Sequence, residues 1–179
     1  MKKKRLSEPV FHRLDLGCGP HKLDGFEGVD IHPFTDVDHV CDLREKWPWK
    51  DGTVSEVYSS HFLEHLTGTE RIHLFNELYR VLKVGGQARF ITPDWSHDCA
   101  YGDPTHVFPP LSRWYPFYLQ KAWRDVNAPH VPYTCDFDWV IAGSWDEWLN
   151  VRNMEFKTFA MQHYSNSIRD LIVTLTKRP

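Results

Sequence analysis

The sequence predicts an α/β fold built on a mainly parallel, seven-stranded sheet, and three observations support this. Short apolar or alternating runs typical of strands recur before residue 95, at 11–17, 27–31, 38–42, 54–60 and 86–92. A helical pattern that Thr67 or Thr69 could cap separates the last two of these runs. Two further strand candidates, 155–163 and 167–177, close the chain. Strands that alternate with crossover connections favour a parallel sheet.

A glycine turn follows the first predicted strand. Gly17 and Gly19 come directly after the apolar run at 13–16, and glycine permits positive φ and the close approach of a ligand. The second predicted strand ends on an acid, Asp30. A glycine turn after one strand and a carboxylate after the next can hold a cofactor that contains a ribose, because the carboxylate accepts hydrogen bonds from ribose hydroxyls.

The turn departs from the dinucleotide pattern in two ways. That pattern requires a small residue three positions past Gly19, where this chain has Lys22. It also requires a helix whose N-terminus faces a pyrophosphate, and the 20–27 stretch is too short for one. S-adenosylmethionine has a ribose and an adenine but no phosphate, so it fits this pattern better.

Five motifs in the same order resemble class I S-adenosylmethionine-dependent methyltransferases, in particular the small group related to methyltransferase type 11. They are residues 14–20, 28–31, 41–43, 57–66 and 80–86, within a continuous match over about 14–94. The resemblance implies a Rossmann-like fold, S-adenosylmethionine as the cofactor and methyl transfer as the activity. It resumes at the C-terminus with the last strand pair.

The resemblance also implies a set of cofactor contacts. The glycine turn and Asp15 would hold the methionine moiety, since backbone amides can bind its carboxylate and Asp15 can face its ammonium. Asp30 would bind the ribose, while Asp42 and the Leu43 amide would meet the adenine edge. A structural turn or a solvated acid is the alternative for each. The predicted contacts are Asp15, Gly17, Cys18, Gly19, Asp30, Ile31, Asp42, Leu43 and His61.

Three residues are predicted to take part in catalysis. Asp103 and His106 resemble a motif after the fifth strand of this methyltransferase group, and His106 could accept a proton that Asp103 orients it to receive. His61, just after the fourth strand, is a rival base, as is His97. A loop latch in which Asp103 and His106 satisfy backbone groups is the alternative.

The run His61-Phe-Leu-Glu64-His65 also has the form of the inverted zinc protease signature. That interpretation requires a third ligand and a helical context, whereas the residues before His61 have a strand pattern. The methyltransferase resemblance accounts for the same residues, so no metal is predicted for the site.

Residues 95–150 are predicted to form an insertion between strands 5 and 6 that serves as a lid or substrate segment. Six of the eight tryptophans lie here, and repeated prolines interrupt regular elements. An apolar wall or stacking platform for the acceptor could come from Trp95, Tyr101, Trp114, Tyr115 and Tyr118. Core packing is the alternative for each of these rings.

The whole chain, 1–179, is expected to be a single methyltransferase domain with a basic arm at 1–10. The net charge of −3 provides no general field for nucleic acid. Four scattered cysteines suggest reduced thiols and a cytoplasmic location, and no membrane span or signal peptide is expected.

The partner predicted from these features is a small-molecule acceptor, methylated on oxygen or nitrogen. Two alternatives stay open. One is a protein that binds S-adenosylmethionine without turnover. The other is a nucleic-acid methyltransferase, which the basic arm would suit but which the Ser-His-Phe-Leu run at 60–63 disfavours.

Overall fold

A computed structural model describes residues 10–179, and within them a seven-stranded sheet carries the core. The order across the sheet is β3-β2-β1-β4-β5-β7-β6; β7 is antiparallel to both neighbours and the other pairs are parallel. The predicted basic arm lies outside the described residues, apart from Val10. In chain order the strands are β1 His12–Leu16, β2 Glu27–Asp30, β3 His39–Val40, β4 Val54–Ser60, β5 Leu82–Pro93, β6 Phe137–Trp145 and β7 Ile168–Lys177.

The Rossmann-like α/β fold predicted from the sequence is confirmed. The helices of the described part are α1 Gly68–Val81, α2 Cys99–Gly102, α3 Tyr115–Leu119, α4 Lys121–Asn127 and α5 Met154–His163. Short 3₁₀ turns occupy Leu63–His65 and Glu147–Leu149. No helix among residues 10–179 combines the length and the apolar character that crossing a membrane would need.

Helix α1 is the crossover between β4 and β5. Thr67 caps it: its side chain accepts from the Glu70 amide while the Glu70 carboxylate accepts from the Thr67 amide, a capping box. Leu74, Phe75 and Leu78 recur at helical spacing and are buried against the sheet. The helix therefore packs on the sheet through the face that the sequence pattern predicts.

The prediction of a strand at 155–163 is wrong, because this segment forms helix α5. The Asn153 side chain accepts a hydrogen bond from the Phe156 amide and caps it. Phe156, Phe159 and Ala160 then lie three and four residues apart, which is a helical spacing.

The sixth strand, β6, lies instead inside the predicted 95–150 insertion. Its residues pair with β7 along their length, from Phe137 opposite Lys177 to Trp145 opposite Ile168. Its paired strand β7 is distant in sequence, so the residues around β6 give no local signal of the pairing. The segment between strands 5 and 6 therefore ends at residue 136 rather than 150.

Two side-chain contacts tie the insertion to the ends of strands β5 and β6. Asp94, fully buried at the end of β5, accepts hydrogen bonds from Ser96 and from the Arg113 guanidinium at 3.2 Å. The His97 ring donates from Nε2 to the Asp146 carboxylate at 2.9 Å, beyond the end of β6. These contacts fix the start and the middle of the insertion near the carboxyl end of β5.

Candidate cofactor and acceptor site

A cavity of about 570 Å³ opens at the carboxyl ends of β1, β2 and β4. Ligands of open parallel sheets bind at this edge. Six of the nine predicted cofactor contacts line it: Gly17, Asp30, Ile31, Asp42, Leu43 and His61. Residues that are far apart in the chain are thus brought together by the parallel order of the strands.

Gly17 begins the turn after β1 and needs to be glycine for two reasons. Its φ is +66°, a left-handed value that a side chain disfavours. A Cβ built there would lie 2.5 Å from Cγ of Phe62, which lies after β4. The turn and Phe62 therefore pack in direct contact and form one wall of the cavity.

Asp30 lies at the end of β2 and holds two loops. Its Oδ2 accepts a hydrogen bond from the Gly19 amide at 3.0 Å, and its Oδ1 accepts one from the His32 amide at 2.9 Å. A carboxylate has about four acceptor positions, so each oxygen retains capacity for a ligand hydroxyl. Ile31 beside it is exposed on the cavity wall.

Asp42 forms a bidentate ion pair with Arg44. The Arg44 guanidinium donates from Nε and Nη2 to the two carboxylate oxygens, at 2.9 and 2.8 Å. This pair lowers the pKa of Asp42, so the carboxylate stays ionised near neutral pH. Leu43, which lies between them in sequence, is buried, and its carbonyl accepts a hydrogen bond from the Trp47 indole.

Asp15, Cys18 and Gly19 do not line the cavity. Asp15 is buried under the turn, where its Oδ2 accepts from the Leu23 amide at 2.7 Å, and burial raises its pKa. Cys18 is half-buried beside Gly28, and burial raises its thiol pKa to about 11. In this structure Asp15 shapes the 17–25 loop, so its predicted contact with a methionine ammonium stays a prediction.

His61 follows β4 with a left-handed backbone, φ +53°, which is uncommon for a side-chain-bearing residue and recurs at functional sites. Its Nδ1 donates to Glu64 Oε1 at 3.2 Å, and its Nε2 lies 3.7 Å from Asp170 on β7. The hydrogen bond to Glu64 raises the pKa of His61. About half of the ring is exposed, on the cavity wall.

His106 and Asp103 lie on the insertion, outside the cavity lining. The His106 ring packs edge-on against the ring of His65, with centroids 5.0 Å apart, and His65 lines the cavity. The Asp103 carboxylate accepts from the amide and hydroxyl of Thr105, and Thr105 contacts His65. Asp103 is thus linked to His65 through Thr105, and the hydrogen bonds of its carboxylate go to Thr105 rather than to the His106 ring.

The lining also contains residues that sequence reasoning did not assign to the cofactor. They are His32, Cys41, Arg44, Phe62, His65 and Leu66. Four of them are adjacent to a predicted contact, whereas His65 and Leu66 lie four and five residues past His61. A rule that extends each predicted contact to its neighbours would have found the first four, but not His65 and Leu66.

The five aromatic residues proposed as an acceptor wall do not line this cavity. Tyr115 is stacked 5.9 Å from Phe75 of α1, inside the core. Trp114, Tyr115 and Tyr118 line a separate cavity of about 520 Å³ beside α1. Tyr115 therefore packs on the core, and an acceptor wall formed by the other rings stays a prediction.

Comparisons with known proteins agree with this fold. A model of the methyltransferase domain family matches residues 28–90. A SAM-dependent methyltransferase from Archaeoglobus fulgidus is 20% identical, with 94% of this chain and 86% of that chain covered and a TM-score of 0.67. The YcgJ protein from Bacillus subtilis is 13% identical, with 96% and 93% covered and a TM-score of 0.54.

A third similar structure is geranyl diphosphate C-methyltransferase from Streptomyces coelicolor A3(2), in complex with Mg²⁺, geranyl diphosphate and S-adenosyl-L-homocysteine. It is 18% identical, with 94% of this chain and 71% of that chain covered and a TM-score of 0.53. No curated protein matches the chain. At these identities, likeness to solved structures establishes the fold.

The resemblance predicted from the ordered motifs is therefore confirmed. The chain has the fold of the class I S-adenosylmethionine-dependent methyltransferases, and its residues 28–90 match the methyltransferase domain family. S-adenosylmethionine is the cofactor of that class.

Proposed function

We propose that this protein binds S-adenosylmethionine in the cavity at the carboxyl ends of β1, β2 and β4 and transfers its methyl group to an oxygen or nitrogen of a small-molecule acceptor. The observation that carries the proposal is the meeting of Gly17, Asp30, Asp42 and His61 around one cavity of about 570 Å³. A cavity of this size suits a cofactor-sized ligand.

The lining residues suit the parts of the cofactor. Asp30 has acceptor positions for the two ribose hydroxyls, and Ile31 offers an apolar surface beside them. Asp42 can accept from the exocyclic amine of adenine, and Arg44 keeps that carboxylate ionised and fixed. The methionine moiety would then lie toward Gly17 and Phe62, with the sulfonium toward His61.

Methyl transfer from a sulfonium is an in-line displacement. The acceptor atom forms a bond to the methyl carbon while the carbon–sulfur bond breaks and S-adenosylhomocysteine leaves, and the proton of the acceptor's O–H or N–H group passes to a base or to water. The protein must hold the acceptor about 3–3.5 Å from the methyl group and limit water. His61 lies on the cavity wall where the acceptor would enter, and His106 and Asp103 lie on the insertion behind His65. Their predicted catalytic roles belong to this proposal.

Calorimetric titration of the untagged full chain with S-adenosylmethionine and with S-adenosylhomocysteine tests the binding step. We expect micromolar dissociation constants for both. An absence of binding at millimolar ligand would contradict the proposal.

Transfer itself is tested with the tritiated methyl group of S-adenosylmethionine against panels of phenols, hydroxy acids and amines. The tritium label should be transferred to at least one of these three classes of acceptor. Binding without transfer to any acceptor, nucleic acid included, would leave a cofactor-binding protein without turnover. Transfer only to RNA or DNA would replace the small-molecule acceptor with a polymer.

A further inference from the structure

Glu64, His65 and His106 form a cluster beside the cofactor cavity, and the proposed function uses only His106 of the three, as a candidate base. Their potential metal-ligating atoms all lie within 4.8 Å of one another. Glu64 and His65 come from the 3₁₀ turn after β4, and His106 comes from the insertion. We propose that these three side chains bind a divalent metal ion of the Zn²⁺ type.

The Glu64 carboxylate is the first reason. The residue is 4% exposed, and its Oε2 is buried without a hydrogen-bond partner among residues 10–179. An unpaired buried carboxylate oxygen is costly, so it calls for a cation or another partner. Its other oxygen, Oε1, accepts from His61 Nδ1 at 3.2 Å, which holds the side chain in place. A metal ion at Oε2 would satisfy the remaining group.

The His106 ring is the second reason. Its Nδ1 lies 3.1 Å from the carbonyl oxygen of Ala100, which can only accept. Nδ1 therefore carries the proton, and Nε2 presents a lone pair. Metal-binding imidazoles in proteins are commonly fixed in this way, by donation from the other ring nitrogen to a carbonyl.

The His65 ring is fixed by a similar chain of hydrogen bonds. The Thr105 hydroxyl donates to Asp103 Oδ1 at 2.7 Å, so it can only accept from His65 Nδ1, which lies 3.0 Å away. Nδ1 of His65 therefore carries the proton, and its Nε2 also presents a lone pair. Asp103 and Thr105 thus support the orientation of His65 as a ligand.

A buried arginine holds the two parts of the cluster together. Arg71 of α1 donates from Nε to the Leu63 carbonyl at 3.0 Å and from Nη1 to the Pro109 carbonyl at 3.0 Å. The Val107 amide donates to the Glu64 carbonyl at 2.8 Å. The ligands from the turn and from the insertion are therefore held next to each other by the packed structure.

Two imidazoles and one carboxylate form a ligand set that suits Zn²⁺ and leaves a coordination position open. Ligand atoms about 2.0–2.2 Å from a tetrahedral zinc ion lie about 3.4 Å from one another. The cluster would need to contract by roughly an ångström, which side-chain rotation can supply. The open position could take a water molecule or an oxygen of the acceptor, because His65 also lines the cofactor cavity.

The metal site stands on this geometry, whereas its use in binding an acceptor rests on the proposed function. Calorimetry with ZnCl₂, on untagged full-length protein freed of metal by chelation, tests the site directly. We expect one zinc ion per chain with a micromolar or tighter dissociation constant. Absence of stoichiometric binding would overturn the proposal.

The variants are chosen to preserve the supporting hydrogen bonds. His106→Asn and His65→Asn keep a donor for Ala100 and Thr105 but remove Nε2, and Glu64→Gln keeps an acceptor for His61. Each should weaken zinc binding at least tenfold. The matched control is His130→Ala, which removes an exposed ring outside the cluster and should leave affinity unchanged. Equal effects of control and cluster variants would overturn the assignment, and circular dichroism checks that each variant folds.

Cobalt substitution tests the open position. Co²⁺ in the site should give visible absorption bands that change when acetohydroxamate, an oxygen-donor chelator, is added. An unchanged spectrum would overturn the open position. Zinc binding with no S-adenosylmethionine binding would contradict the proposed function alone, and the reverse result would contradict the metal site alone.

Discussion

The amide of Gly19 donates a hydrogen bond to the Asp30 carboxylate at 3.0 Å, which joins the turn after β1 to the end of β2. Asp30 also accepts from the His32 amide. One side chain thus positions two loops of the cofactor cavity while retaining acceptor positions for a ribose. Its substitution should affect both binding and the local shape of the turn.

Asp30→Ala should weaken S-adenosylhomocysteine binding at least tenfold in calorimetric titration, because the ribose loses a charged acceptor and Gly19 loses its anchor. Asp30→Asn keeps one acceptor oxygen and should weaken binding less. Asp24→Ala, an exposed acid in the same loop region, is the control. An unchanged affinity in Asp30→Ala would refute the assignment of Asp30.

Gly17→Ala should lower the free energy of unfolding by roughly 2–5 kcal/mol, from the left-handed backbone and the clash with Phe62. Gly52→Ala is a matched control, since its φ of +68° is similar and its Cβ would meet nothing within 4 Å. That variant should lose only about 1–2 kcal/mol. Urea unfolding of both variants measures the difference, and equal losses would show that Phe62 imposes no constraint.

Arg71→Met should destabilise the protein by roughly 2–4 kcal/mol in urea unfolding, because carbonyls of the 3₁₀ turn and of the insertion lose their donor. Arg71→Lys keeps the charge but lacks the planar guanidinium with its several donors. Its free energy of unfolding should lie between those of Arg71→Met and the wild type. Stability of Arg71→Met equal to that of the wild type would show that Arg71 does not hold the insertion to the turn.

Glu77 should make stability depend on pH. Its carboxylate accepts from the Arg80 guanidinium at 2.6 Å and from the Trp47 amide at 2.8 Å, and the hydrogen bond from Arg80 lowers its pKa below the ordinary value. The ionised form is therefore favoured by folding. This contribution is complete above the ordinary pKa and is lost as the pH falls through the folded-state pKa.

The variant Glu77→Gln should accordingly reduce the free energy of unfolding by about 1–3 kcal/mol at pH 7 and by much less at pH 3. Glu56→Gln is the control, because Glu56 pairs with Arg13 at a half-exposed site and should contribute about 1 kcal/mol or less. Unfolding measured over this pH range distinguishes the two. A constant deficit for Glu77→Gln at every pH would contradict the ion-pair explanation.

Much of the sheet and of the cofactor cavity could be predicted because the signals are local. Gly17 and Asp30 lie at strand ends, and parallel strands bring such ends to one edge. Residues 154–163 form a helix rather than the predicted strand because a short apolar run supports either period and the Asn153 cap favours the helix. Strand β6 has no clear local signal because it is stabilised by pairing with β7, which is distant in sequence.

Sequence alone is sufficient to predict the α/β class, the glycine turn, the acids at the strand ends and the methyltransferase resemblance, since each depends on neighbouring residues and short spacings. Long-range packing selects which of these residues line the cavity and which, like Asp15, support it from beneath. It also placed His106 beside Glu64 and His65, across a sequence separation that no local pattern spans. The physical reason is that burial and hydrogen-bond pairing at long range, rather than local preference, select the partners of each side chain.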